Sequence, residues 1–270
     1  MAETSWVDDV RLAHVLADSA DALTMDRFRA LDLQVSAKPD LTPVSDADLA
    51  VEDLLRSTLA RTRPRDAVHG EERADTGFGP RRWVIDPIDG TKNFVRGVPV
   101  WATLIGLMEG DEVVVGVVSA PALQRRWWAS KGGGAFMGKS LASATRLQVS
   151  SVATLANASL SYSSLGGWME TNRGQAFVDL LREVWRTRAY GDFWSYAMVA
   201  EGAIDIATEP DLALHDMAAL AVIVSEAGGR FSNLDGTSGP IGPGALATNG
   251  RLHEAALRAL AAESGPQRLS

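Results

Sequence analysis

The sequence predicts two unlike halves packed as one unit, an α+β half with an antiparallel sheet followed by an α/β half. Three observations predict it. Two segments of helical periodicity open the chain and are followed by a run of short apolar strands. From about residue 150 strands and helices alternate, the pattern of a sheet lying between helices. No clean linker separates the two regions, so the expected division, 1–148 and 149–270, falls between packed halves rather than tethered domains.

Residues 6–30 read as a helix, because Val10, Ala13, Leu16, Ala17, Ala20 and Leu23 recur on one face. Lys38-Pro39-Asp40-Leu41-Thr42-Pro43 carries two prolines and reads as a loop. A second helix starts near Ser45, where Ser45 and Asp48 have the spacing of a capping box; its apolar side is Ala47, Val51, Leu54, Leu55 and Leu59. Val68-His69-Gly70 and Trp83-Val84-Ile85 are short apolar strands, the second ending at Asp86. Residues 101–108 and 112–119 are strands joined at Glu109-Gly110-Asp111, a hairpin signal, and strands at 125–129 and 135–137 come next. In the second half strands are expected at 157–162, 187–190, 203–207, 230–234 and 245–248, with helices at 174–185, 194–201, 216–227 and 251–262. The Gly- and Pro-rich stretch from Gly236 to Gly244 is a loop, and the polar end from Glu263 to Ser270 is expected to fray.

Bulk properties narrow the function classes. The net charge is −8, which argues against a general nucleic-acid binder. There are no cysteines, so disulfides, thiolate metal sites and a cysteine nucleophile are excluded. No stretch of about 18 apolar residues exists to span a membrane. The start of the chain carries Glu3, Asp8 and Asp9 and no basic-then-apolar run, so no secretory signal is read there; a cytoplasmic location is the expectation.

Chemistry concentrates in Asp86-Pro87-Ile88-Asp89-Gly90-Thr91-Lys92-Asn93-Phe94. An apolar strand delivers Asp86 to its end, and Pro87 holds Asp86 extended and turns the chain. Asp89 lies beside Gly90, so two carboxylates on one turn can converge. Gly90 and Thr91 are expected to open a short helix, stopped by Gly97 and Pro99, whose first N–H groups favour a phosphate. Alone, Asp-x-x-Asp-Gly is more often an ordinary acidic turn. Other acids taken singly also have bland readings. Glu71 and Glu72, after Val68-His69-Gly70, read as a solvated pair, and Asp46 as favourable to a helix dipole. Asp216 opens the apolar helix Met217 to Val224, where a cap and a metal ligand suit it equally.

Ser45-Asp46, Gly70-Glu71-Glu72, the Asp86 to Phe94 string and Asp216…Glu226-Ala227-Gly228-Gly229 occur in the order and rough spacing of the inositol monophosphatase family, which the chain resembles over nearly its whole length. The resemblance implies a five-layer αβαβα sandwich with the site between the halves, and a Mg2+-dependent phosphomonoesterase. It implies that Glu71, Asp86 and the carbonyl of Ile88 hold one Mg2+, and that Asp86, Asp89 and Asp216 hold a second. Glu71 touches a third, weaker ion, so two to three ions are expected per subunit, with Mn2+ as an alternative. Asp46 and Thr91 resemble the pair that, with Glu71, orients the attacking water. Asp89, Gly90, Thr91 and Asp216 face the substrate. A homodimer is implied too. The family usually has Trp where this chain has His215, which is read as a wall residue. Physics agrees with the scheme. Acids converging without cations repel and stay protonated, and oxygen ligands suit Mg2+. One ion activates water and the other stabilises the leaving oxygen in an in-line displacement.

Within the family, Asn93 to Trp101, Ser119 to Trp128 and Ala189-Tyr190-Gly191-Asp192-Phe193 resemble the histidinol-phosphatase branch. Gly191 and Asp192 fall where the family places small residues near the substrate alcohol, and Glu209 falls at another substrate position. Two acids there suit an ammonium and an imidazole, with Phe193 and a nearby Trp beside the ring. Asp192 reads equally as a helix N-cap. Hydrolysis of L-histidinol phosphate is therefore the expected activity. Inositol 1-phosphate or another small ester is the alternative, and a non-catalytic accessory factor in a transcription complex is the alternative of another class.

Three other patterns are set aside. Gly133 to Ser140 matches a P-loop string, but Leu141 to Arg146 make only a weak helix start, and Gly138-Lys139 reads as a hairpin turn. Gly242 to Ala247 fits a dinucleotide string without a βαβ context. His14, His69, His215 and His253 lack zinc spacing.

Overall fold

A computed structural model of the chain describes residues 6–39 and 42–261. The tail Glu263 to Ser270, and Asp40 and Leu41 of the proline loop, lie outside them. The elements run α1 (Val7–Arg27), β1 (Val35–Ala37), β2 (Pro43–Ser45), α2 (Asp46–Thr62), β3 (Ala67–Gly70), β4 (Arg81–Asp89), α3 (Thr91–Val95), β5 (Ala102–Glu109), β6 (Glu112–Ala120), β7 (Arg125–Ser130), β8 (Gly134–Met137), β9 (Thr145–Arg146), β10 (Ser159–Ser161), α4 (Leu165–Met169), α5 (Gly174–Glu183), β11 (Arg186–Arg188), α6 (Asp192–Ala200), β12 (Ile206–Glu209), α7 (Leu214–Glu226), β13 (Arg230–Ser232), β14 (Ala245–Thr248) and α8 (His253–Ala259).

Strands β3 to β9 lie in chain order in one sheet. Each pair is antiparallel except β3–β4, a parallel pair at the edge that corrects the wholly antiparallel expectation. Parallel pairing needs a long return, and residues 71–80 supply it. The second sheet has the order β11-β10-β12-β14-β13 and mixes parallel with antiparallel pairs. The small β1–β2 ribbon, β9 and α4 were not legible in the sequence, being only two to five residues long.

Side-chain alternation assigns the layers. Trp83 and Ile85 of β4, Ile105 and Leu107 of β5 and Trp128 of β7 pack on α1 and α2. Val84, Leu104 and Trp127 point the other way, onto Tyr196 of α6 and Met217 to Val224 of α7. Ala207, Phe231, Ala245 and Ala247 of the second sheet close that central layer from the far side. Leu160, Ile206 and Leu246 face outward onto Trp168, Phe177, Leu180 and Ala256. The result is the five-layer αβαβα sandwich.

The central layer is close-packed where it matters for the site. A Cβ on Gly116 of β6 would lie 2.5 Å from Ala219 O of α7, so glycine lets that helix settle onto the sheet. This brings the start of α7, with Asp216, against the end of β4. Among the described residues no helix is long and apolar enough to cross a membrane.

Candidate active site

Asp86 and Asp89 are three residues apart, and in a regular strand an odd spacing puts side chains on opposite faces. A bulge resolves this. Asp86 pairs with Leu104 and Asp89 with Ala102, so β4 spends three residues where β5 spends two. The strand therefore continues past Asp86, its expected end, and both carboxylates reach one point. Gly90 comes next at φ +84, and a Cβ there would meet Val100 O at 2.9 Å and Asp192 Oδ2 at 3.2 Å. Only glycine turns the chain here into α3.

Asp216 completes the cluster. Ligand atoms of Asp86, Asp89 and Asp216 all lie within 4.8 Å of one another. Asp216 also caps α7, accepting the Ala213 N–H at 2.6 Å, so the cap geometry and the cluster coexist. Asp86 is buried, and its Oδ1 has no hydrogen-bond partner among the described residues. Burial, then the charges of Glu71, Asp89 and Asp216, push its carboxyl well above the usual range. Asp89 is raised well above that range by burial and then by Asp192 and Asp216; its bond from the Phe193 N–H, at 2.7 Å, works against the rise. Burial raises Asp216 as well, against the opposing charge of His215. Carboxylate oxygens this close, one buried and without a donor and two half-buried, fit hard divalent cations.

Glu71 directly succeeds β3, whose Gly70 is in register with Ile85, so it sits one step from Asp86. Lys38 Nζ reaches Glu71 Oε1 and Glu72 Oε1, each at 2.6 Å. Burial opposes the Lys38 charge, yet its bonds to the two acids win and raise its pKa.

The expected pairing of Asp46 with Thr91 is not what the structure contains. Thr91 Oγ1 lies 3.1 Å from Asp48 Oδ1 and 2.9 Å from Ile88 O. Asp46 instead accepts Arg27 Nη2 at 2.7 Å. Residues two apart on a helix project to opposite sides. Asp48 turns inward, where its other oxygen accepts the Ser45 N–H at 2.8 Å; the capping-box spacing at Ser45 was the available signal.

Beside the cluster lies a cavity of about 220 Å³, lined by Asp89, Ser163, Asp192, Phe193, Tyr196, Glu209, Asp211 and Asp216 and by two leucines. Among the described residues no lysine or arginine lines it. Burial and the charge of Asp216 push Asp192 up to about 6, with Lys92 opposing. Burial pushes Glu209 up to about 8, against its bond from Ser163. The Tyr196 hydroxyl is buried without a partner among the described residues. Phe193 lines the cavity but its ring packs on Trp127 at 5.9 Å, and Trp194 packs on Tyr190 at 5.7 Å. His215 stacks on His69 at 6.0 Å, with Nε2 at 3.9 Å from Asp216 Oδ1. The P-loop string leads into a 3-10 turn (Leu141–Ser143) and β9, not a helix; the hairpin turn at Gly138-Lys139 is part of this longer connection.

The sequence model of the inositol monophosphatase family matches residues 7–265. A protein of Streptomyces coelicolor named histidinol-phosphatase is 66% identical over 253 residues, 92% of this chain and 95% of its own. One of the same name from Mycobacterium tuberculosis is 59% identical over 254 residues, 94% of this chain and 98% of its own. Among solved structures, an inositol monophosphatase of Zymomonas mobilis superposes with a TM-score of 0.84 at 31% identity, covering 96% of this chain and 99% of that one.

Proposed function

The chain belongs to the inositol monophosphatase family, and from that premise we propose that it hydrolyses L-histidinol phosphate to L-histidinol and inorganic phosphate. It is a phosphoric monoester hydrolase. The observation that carries the choice of ester is the cavity beside the acid cluster, which offers Asp192 and Glu209 and, among the described residues, no lysine or arginine. An ester whose alcohol bears an ammonium and an imidazole suits those acids better than a neutral polyol does. The names of the two relatives at 66% and 59% identity support the same choice.

The family is metal-dependent, and the orphaned Asp86 Oδ1 and the three converging acids fit that requirement. Glu71, Asp86 and the Ile88 carbonyl would hold one Mg2+, and Asp86, Asp89 and Asp216 a second. A third would sit at Glu71, and Mn2+ would serve in place of Mg2+. When bound, the ions would supply Lewis acidity toward the phosphoryl group and the attacking water and would offset charge on the leaving oxygen.

The chain's own groups do the rest. Asp48 Oδ1 takes the Thr91 hydroxyl hydrogen, leaving the Thr91 oxygen to accept one from water and aim it. Gly90, the N-cap of α3, and Thr91, its first residue, offer N–H groups without intrahelical partners to the phosphate. Water oxygen bonds to phosphorus as the ester P–O bond breaks. A water proton passes toward the Thr91–Asp48 pair, and the alcohol leaves with a proton from solvent. A homodimer, a cytoplasmic location and a division between the halves near residue 148 complete the reading.

Phosphate release from a panel of esters tests it. The proposal requires histidinol phosphate to have the highest kcat/KM, well above inositol 1-phosphate. Faster turnover of inositol 1-phosphate would overturn the choice of ester and leave the phosphatase chemistry standing.

A further inference from the structure

Two acids of the cavity are not free to choose their own positions. Asp192 Oδ2 is held by Asn93 Nδ2 at 2.8 Å, from helix α3 just after the Asp86–Asp89 bulge. The Asp192 N–H donates to Ser163 Oγ at 2.8 Å. Ser163 in turn donates its hydroxyl hydrogen to Glu209 Oε1 at 2.6 Å. One chain of hydrogen bonds thus runs Asn93, Asp192, Ser163, Glu209, joining residues from four separate segments.

The backbone at its centre is unusual. Asp192 has φ +48 and succeeds Gly191 at φ +85. A non-glycine residue in the left-handed region is uncommon and persists where its surroundings hold it. Here the holding groups are Asn93 and Ser163. The conformation also aims the next N–H, that of Phe193, at Asp89. Each acid is thereby gripped from behind by a neutral donor, Asp192 by Asn93 and Glu209 by Ser163, while both line the cavity.

We propose that Ser163 is a positioning residue for substrate selection: it links the Asp192 backbone to the Glu209 carboxylate and sets the two acids as a clamp for the cationic part of the alcohol. Asp192 and Glu209 offer carboxyl oxygens to the ammonium's hydrogens, and Ser163 ties the two residues together. Discrimination between esters then resides in this chain of bonds, apart from the acids that would hold metal. The clamp rests on the reading of the site as one for an aminated ester.

The test compares kcat and KM for histidinol phosphate and for inositol 1-phosphate in wild type, Ser163→Ala and Ser163→Thr, at saturating Mg2+. A hydrogen bond that positions a buried acid is worth roughly tenfold in binding. Ser163→Ala is expected to lower the ratio of kcat/KM between the two esters about tenfold, mainly through KM for histidinol phosphate. Ser163→Thr keeps the hydroxyl and is expected to recover most of the ratio. A merely structural role would move both esters together, with the ratio and the KM split unchanged, and that result would overturn the clamp alone. A folded Ser163→Thr enzyme no better than Ser163→Ala would also overturn it. If the wild type shows no preference for histidinol phosphate, the proposed function fails and the clamp fails with it.

Discussion

Thr91 Oγ1 faces Asp48 Oδ1 at 3.1 Å, while Asp46, two residues earlier on the same helix, is turned to Arg27 at 2.7 Å. The two acids therefore face different partners, and substitution separates them. Asp48→Asn is expected to lower kcat by about a hundredfold or more, the usual loss for a displaced proton acceptor. Asp46→Asn removes a half-exposed ion pair and is expected to change kcat by no more than a few-fold. The measurement is steady-state kcat with Tm as a folding control. Equal losses in two folded variants would return Asp46 to the site.

Asp89 stands at the junction of the acid cluster and the cavity beside it. Asp89→Asn is expected to abolish nearly all turnover while leaving the protein folded. Mg2+ raises the Tm of the wild type because it binds only the folded state, and the variant is expected to show a much smaller rise. A full Mg2+-dependent rise in the variant would remove Asp89 from the metal site.

Lys38 acts as a counter-ion to Glu71 and Glu72. Lys38→Met leaves two crowded acids without a partner, so Tm in chelator is expected to fall by several degrees. The same change removes a competitor for Glu71, so less Mg2+ is expected at half-maximal stabilisation. Titration calorimetry and thermal melts read both effects. A variant with unchanged apo Tm and unchanged Mg2+ midpoint would show that the pair does not matter.

His253 is fully buried, bonded to Ser232 Oγ at 2.8 Å and Thr248 Oγ1 at 3.1 Å, and burial together with Arg230 holds its pKa down to about 4. The unfolded chain, with an ordinary histidine near 6.5, binds the proton more readily, so this contribution to stability is complete above about pH 6.5. It is lost as pH falls toward about 4. The Tm gap between wild type and His253→Gln is therefore expected to narrow over that window. A constant gap would mean that the ring does not titrate differently on folding.

Much of this was legible in the sequence because it rests on period and spacing. Both opening helices, the Glu109-Gly110-Asp111 hairpin and the alternation after residue 150 arise from local patterns. So does the pairing of Asp86 with Asp89, although the bulge that makes it work depends on register with β5, which no local pattern shows. The sequence points to Asp46 as the neighbour of Thr91, and the structure places Asp48 there. The Ser45–Asp48 spacing was visible, but which helix face meets Thr91 is decided by how α2 packs on the β4 turn. Ser163 and Lys38 carried no sequence signal, since each gains meaning only from partners 46 and 33 residues away.

An anomalous-scattering map from crystals soaked in Mn2+ bears most directly on whether these acids hold divalent ions. One peak is expected among Asp86, Asp89 and Asp216 and another beside Glu71, Asp86 and the Ile88 carbonyl. Peaks confined to other surfaces, or a map that leaves Asp216 outside every coordination sphere, would contradict the two-metal site.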